Sequence, residues 1–167
     1  QVALDGSRDG DAISINTGPL QLEVVNEAAW LRSVNFEGKN VLAEGGARSF
    51  IDFLRADNSY PSTTTHAQGR LDDGGFVPET MELEEAGPLR AVVRLQGHTD
   101  AEEPTRVIVR IEAYAGRSAL RVFQSAEFLH KDVREAYIRR MGIDLPLAST
   151  QGAKVTVGGQ DGAVALP

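Results

Sequence analysis

Three consecutive runs, GPLRAVVRLQGHTD (87–100), TRVIVRIEAYAG (105–116) and SALRVFQSAEFL (118–129), alternate apolar and polar residues, and AYIRRMGIDLPL (136–147) follows them. Leu89, Ala91, Val93 and Leu95, then Val107, Val109, Ile111 and Ala113, fall on one side of their runs. Arg90, Arg94, Gln96, His98, Arg106, Arg110, Glu112 and Tyr114 fall between them. A period of two is the signature of a half-buried antiparallel strand, because successive side chains leave a strand on opposite faces. The third run shifts phase, with Leu120, Val122, Ala126 and Phe128 expected inward. The pattern predicts an all-β chain, an antiparallel barrel or sandwich of about nine to twelve strands with little helix.

Length sets how much core such a chain can build. At 167 residues a single domain over 1–167 is expected, and folding at this size buries roughly 70% of the unfolded surface. No apolar run approaches the roughly 20 residues of a membrane-spanning helix, so no membrane role is expected. A net charge of -7 argues against a nucleic-acid partner unless a local basic patch exists. With no cysteine in the chain, disulfides, thiolate catalysis and cysteine-ligated metal are excluded. The absence of a starting Met and of a leader-like segment suggests a piece of a larger protein.

Along the chain, DGSRDGD (5–11) spaces Asp5, Ser7, Asp9 and Asp11 as a calcium loop does, with Gly10 at the turn. Asn16 stands where such a loop needs a bidentate Glu, so two Asp-Gly turns are the preferred reading and no metal site is expected. AISIN and LQLEVVN read as strands broken at Thr17-Gly18-Pro19, and Glu37-Gly38-Lys39-Asn40 reads as a tight hairpin turn. Trp30, the only Trp, is either a core anchor or a platform for stacking a sugar. SFIDFLRAD is a further strand, with Phe50, Asp52 and Leu54 facing opposite to Ile51, Phe53 and Arg55.

Residues 57–76 are rich in Ser, Thr, Gly and Asp, lack apolar periodicity and read as a long polar loop. Tyr60, His66 and Arg70 there combine proton-transfer groups with a carboxylate-binding cation, which makes them, with Trp30, the candidate substrate-binding residues. A turn at Ala86-Gly87-Pro88 is expected to set Glu84 opposite Arg90, one rung of a solvated Arg/Glu ladder. LHKDVREAY (129–137) reads as a helical turn or a wide loop, and His98 and His130 as surface residues.

The order of TGPLQLEV (17–24), the FEGKN hairpin (36–40), AGPLRAVVRLQG (86–97), VRIEAYAGRSALRVFQSAEF (109–128) and IRRMGIDLPL (138–147) resembles the N-terminal β-barrel domain of exo-rhamnogalacturonan lyase and YetA-like proteins. Galactose-mutarotase-like sandwiches carry similar phrases. The resemblance implies a RIFT-type barrel at the start of a larger carbohydrate-active enzyme, one that cleaves uronate-containing polysaccharide by β-elimination. No catalytic residue of that family matches a motif here, so the domain alone is expected to be non-catalytic and to need no cofactor.

On this reading its partners are an acidic polysaccharide or the neighbouring catalytic domain, in a secreted or periplasmic setting. Two alternatives stay open. One is a self-sufficient mutarotase-type enzyme using His66 or His98 with a carboxylate such as Glu112, and the other is a structural interaction module without a glycan site.

Overall fold

Ile13, Ile15, Leu22 and Val24 belong to one sheet and Val93, Leu95, Val107, Val109 and Ile111 to another, yet all lie in one buried cluster. Two antiparallel sheets therefore face each other across a shared core, the sandwich form of the expected architecture. The computed structural model describes residues 4–56, 69–128, 136–149, 155–159 and 162–166.

The first sheet is a meander of β1 (Asp5–Asp9), β2 (Ala12–Asn16), β3 (Leu20–Val25), β4 (Leu31–Phe36) and β5 (Lys39–Asn40). The facing sheet runs in the order β11-β10-β9-β8, from β8 (Phe76–Ala86), β9 (Arg90–Thr99), β10 (Arg106–Tyr114) and β11 (Leu120–Glu127). A third sheet pairs β6 (Arg48–Ala56) with β7 (Gly69–Asp72) on one side and β12 (Ala136–Asp144) on the other. β13 (Val155–Gly159) and β14 (Gly162–Leu166) form a hairpin. Among the described residues there is no helix.

The inward sets on β9 and β10 are as the alternation predicts, with Ala91, Val93, Leu95, Val107, Val109, Ile111 and Ala113 each fully buried. At roughly 25 cal/mol per Å² of apolar surface, each full-sized side chain contributes about 1.5–3 kcal/mol. Leu89 is a correction: it is 65% exposed, because the strand begins at Arg90 and Leu89 belongs to the turn. Phe128, expected inward, is 43% exposed beyond the end of β11, with its ring against Phe53 edge to face.

The strand count exceeds the expected range because short strands such as β1, β5 and β7 carry no readable alternation. β1 was expected as two turns, and only Gly10 and Asp11 turn, closing the β1–β2 hairpin at Asp9 and Ala12. β7 lies inside the expected 57–76 loop and pairs with β6 from Phe53↔Asp72 to Ala56↔Gly69. In the hairpin after β4, Glu37 (φ 50°) and Gly38 (φ 78°) take the two left-handed positions, while Asn40 is already in β5. Of the segment expected as a helical turn or loop, 129–135 lies outside the described residues and Ala136–Tyr137 open β12.

Candidate functional site

Trp30 takes the core position of its two readings. It is fully buried, and its indole N–H donates to Ser49 Oγ at 3.0 Å, so its ring offers no exposed face for stacking a sugar. Tyr60 and His66 lie outside the described residues, and Arg70 is placed by its backbone in β7, opposite Arg55. The calcium-like segment is spent on a strand and a two-residue turn.

Of the carboxylates open to the mutarotase-type reading, Glu112 does not pair with His98. Register sets His98 opposite Arg106 and Glu112 opposite Val92, about 20 Å apart along β10. His98 Nδ1 instead lies 3.2 Å from Glu79 Oε1, and Glu112 accepts the Tyr114 hydroxyl at 2.7 Å.

The outer face of the four-stranded sheet carries five arginines, Arg90, Arg94, Arg106, Arg110 and Arg121, and each has an acidic partner. Arg110 reaches Glu84 at 3.0 Å, Arg94 the same carboxylate at 3.6 Å, Arg106 reaches Glu127 at 3.3 Å, Arg121 reaches Glu112 at 3.6 Å, and Arg90 pairs with Glu85. The expected Glu84–Arg90 rung is thus replaced. A register shift between Leu83 and Glu85 makes Glu84 the extra residue of a bulge and hands Arg90 to Glu85. The Arg90 hydrogen bond holds the Glu85 carboxyl below the usual carboxylate range, and Glu84 raises the Arg110 guanidinium. Exposed pairs of this kind add little to stability. Their larger consequence is a balanced face, with Glu82, Glu84, Glu85, Glu112 and Glu127 set against the five arginines.

Sequence reasoning missed two features. Asp52 is buried on β6, and its Oδ2 accepts from Arg140 Nε at 2.7 Å. That bond raises the Arg140 guanidinium, with Asp73 and Asp144 adding to the effect. The Arg140 guanidinium also lies over Phe50, 5.2 Å from the ring centre, while Phe50 rests within 3.2 Å of where a Gly142 side chain would start. This is a structural clamp between β6 and β12.

The second is an apolar groove of about 490 Å³ where the two facing sheets part. Leu20, Val34 and Leu42 line one wall, Leu120 and Val122 of β11 another, and Leu145 and Leu147 the lip beyond β12, with Ser118 the one polar residue in its lining among the described residues. Leu42 and Leu147 are bridged backbone to backbone, and Ala43 N–H donates to Pro146 O at 2.7 Å, so the lip is held by main-chain bonds. Leu145 is 56% exposed and Leu147 43%. A polar depression lined by Glu44, Arg48 and Asp144 adjoins it through Leu145. The available signal was apolar residues in stretches without periodicity, VLAEGG and DLPLAS, where a solvated loop would be polar.

Comparison with curated proteins gives no match. A match to the family described as PcRGLX-like protein central beta sandwich domain covers residues 5–163. It agrees with the polysaccharide-lyase relationship that the resemblance pointed to, and it replaces an N-terminal barrel with a central sandwich, as the two facing sheets do. The chain belongs to the PcRGLX-like central β-sandwich family, related to rhamnogalacturonan lyases.

Proposed function

We propose that this sandwich is a non-catalytic unit of a rhamnogalacturonan lyase-like protein and seats the neighbouring catalytic domain against its apolar groove. The observation that carries the reading is a contrast between two surfaces. The arginine face is compensated by carboxylates, whereas the groove presents Leu145 and Leu147 to solvent with nothing over them among the described residues. A large exposed apolar patch beside a polar rim is the anatomy of a protein interface. A family described as a central domain supplies a neighbour of the same polypeptide to cover it.

On this reading contact with an acidic glycan falls to the stretch carrying Tyr60, His66 and Arg70 rather than to the sheet face, whose arginines are compensated. Affinity electrophoresis in gels containing acidic polysaccharide separates these surfaces. Arg94→Gln with Arg110→Gln is expected to leave retardation unchanged, and Arg70→Gln with His66→Ala to reduce it.

The docking reading is tested by calorimetry on the protein with its flanking domains. Leu145→Asp is expected to split one cooperative transition into two while leaving the transition of this sandwich alone within about 0.5 kcal/mol, as for other exposed positions. An unchanged single transition overturns the reading.

A further inference from the structure

The two edges of the four-stranded sheet differ. β8 carries two register shifts and Pro78, devices that keep an edge from pairing with another chain. β11 pairs with β10 without interruption from Ala113↔Leu120 to Arg106↔Glu127, and among the described residues no strand pairs with its other side. Its eight residues give an unbroken edge of about 26 Å.

The strand is also complementary to itself. Placed antiparallel to a second β11 across a two-fold axis through Gln124, Arg121 falls opposite Glu127 on the outer face. Val122 falls opposite Ala126 on the inner face. The observed exposure agrees with both faces: Arg121 and Glu127 are exposed, and Val122 and Ala126 are half-buried against the core. Opposite charges set across a strand pair stabilise it, and the two-fold provides the pair twice.

We infer that a second copy of this chain adds to the outer edge of β11, joining two four-stranded sheets into one continuous antiparallel sheet. Strand addition supplies main-chain hydrogen bonds, and the Arg121–Glu127 pairs fix the register. One eight-residue edge is short of the ~800 Å² per partner of a standard stable interface, so the association is weak and concentration-dependent. It uses β11 main-chain groups and leaves the groove lip at Leu145 and Leu147 to the flanking domain.

Sedimentation of the chain over a range of concentrations, for the unaltered protein and two charge variants, tests this. The unaltered chain is expected to dimerise. Arg121→Glu alone and Glu127→Arg alone are expected to stay monomeric, because each sets like charges across the axis, while an equimolar mixture of the two is expected to dimerise. A mixture that stays monomeric, or variants that dimerise as well as the unaltered chain, overturns the inference. A second readout on the unaltered chain is amide exchange over 120–127, expected to slow as concentration rises; exchange independent of concentration also overturns it.

Discussion

Thr17 and Arg117, a hundred residues apart, are joined by a hydrogen bond in which the Thr17 hydroxyl donates to the Arg117 carbonyl at 2.8 Å. The Thr17 carbonyl accepts from Gly116 N–H at 2.7 Å, and its hydroxyl oxygen accepts from Leu20 N–H at 3.1 Å. One buried threonine thus ties the β2–β3 turn of one sheet to the β10–β11 turn of the other. Thr17→Val keeps the shape and the main-chain bond to Gly116 but leaves the Arg117 carbonyl and the Leu20 N–H without these partners, and is expected to cost about 1–3 kcal/mol in urea unfolding. Thr17→Ser is expected to retain most of the stability.

Val109 is fully buried at the middle of β10, between Leu95 and Gln124 in register. Val109→Asp puts an unpaired carboxylate into the core, a cost comparable to the whole ~5–15 kcal/mol stability of a domain. Loss of the cooperative thermal transition is the expected outcome. A folded variant would mean that this face does not point inward.

Gly97 and Gly116 are expected to respond differently to a methyl group. A Cβ at Gly97 would lie 2.0 Å from the Val77 carbonyl oxygen, inside the β8–β9 ladder. Gly97→Ala is therefore expected to cost at least about 3 kcal/mol, high among single substitutions. Gly116, at φ 72°, has open space around it, and Gly116→Ala carries only the left-handed backbone penalty of about 1–2 kcal/mol. Denaturation midpoints compare them directly.

Glu85 ties stability to pH. Its carboxyl titrates lower in the folded chain than in the unfolded one because of Arg90, so the contribution is present above the unfolded value. It is lost as pH falls through the folded one, where the unfolded chain has already taken up the proton. Arg90→Gln is expected to be less stable than the unaltered chain at neutral pH and equal to it in acid. High salt should shrink the neutral-pH difference, since both side chains are about 40% exposed.

Period-two reasoning found the core of β9 and β10 because burial on one face of a strand writes itself directly into alternation. Features that interrupt alternation were not legible. The bulge at Glu84 changed which glutamate faces Arg90. Another lies between Glu23 and Val24 on β3, where Glu23 pairs with Ser33 and Val24 with Leu31. It leaves Arg32 unopposed and buries both Leu31 and Val34, which strict alternation would place on opposite faces. β1 is polar and almost wholly exposed, so no apolar pattern marks it.

The Asp52–Arg140 bond spans 88 residues, and the groove draws its walls from separate strands and an irregular segment. Such sites exist only once topology brings their parts together.

Whether the groove or the arginine face is the contact surface is tested most directly by hydroxyl-radical footprinting of the protein with its flanking domains, compared with this chain alone. Leu145 and Leu147 are expected to lose reactivity when the flanking domains are present, while Phe123, on the outer arginine face and 45% exposed, keeps its own. Protection of Phe123 with Leu145 and Leu147 still fully reactive would contradict the account.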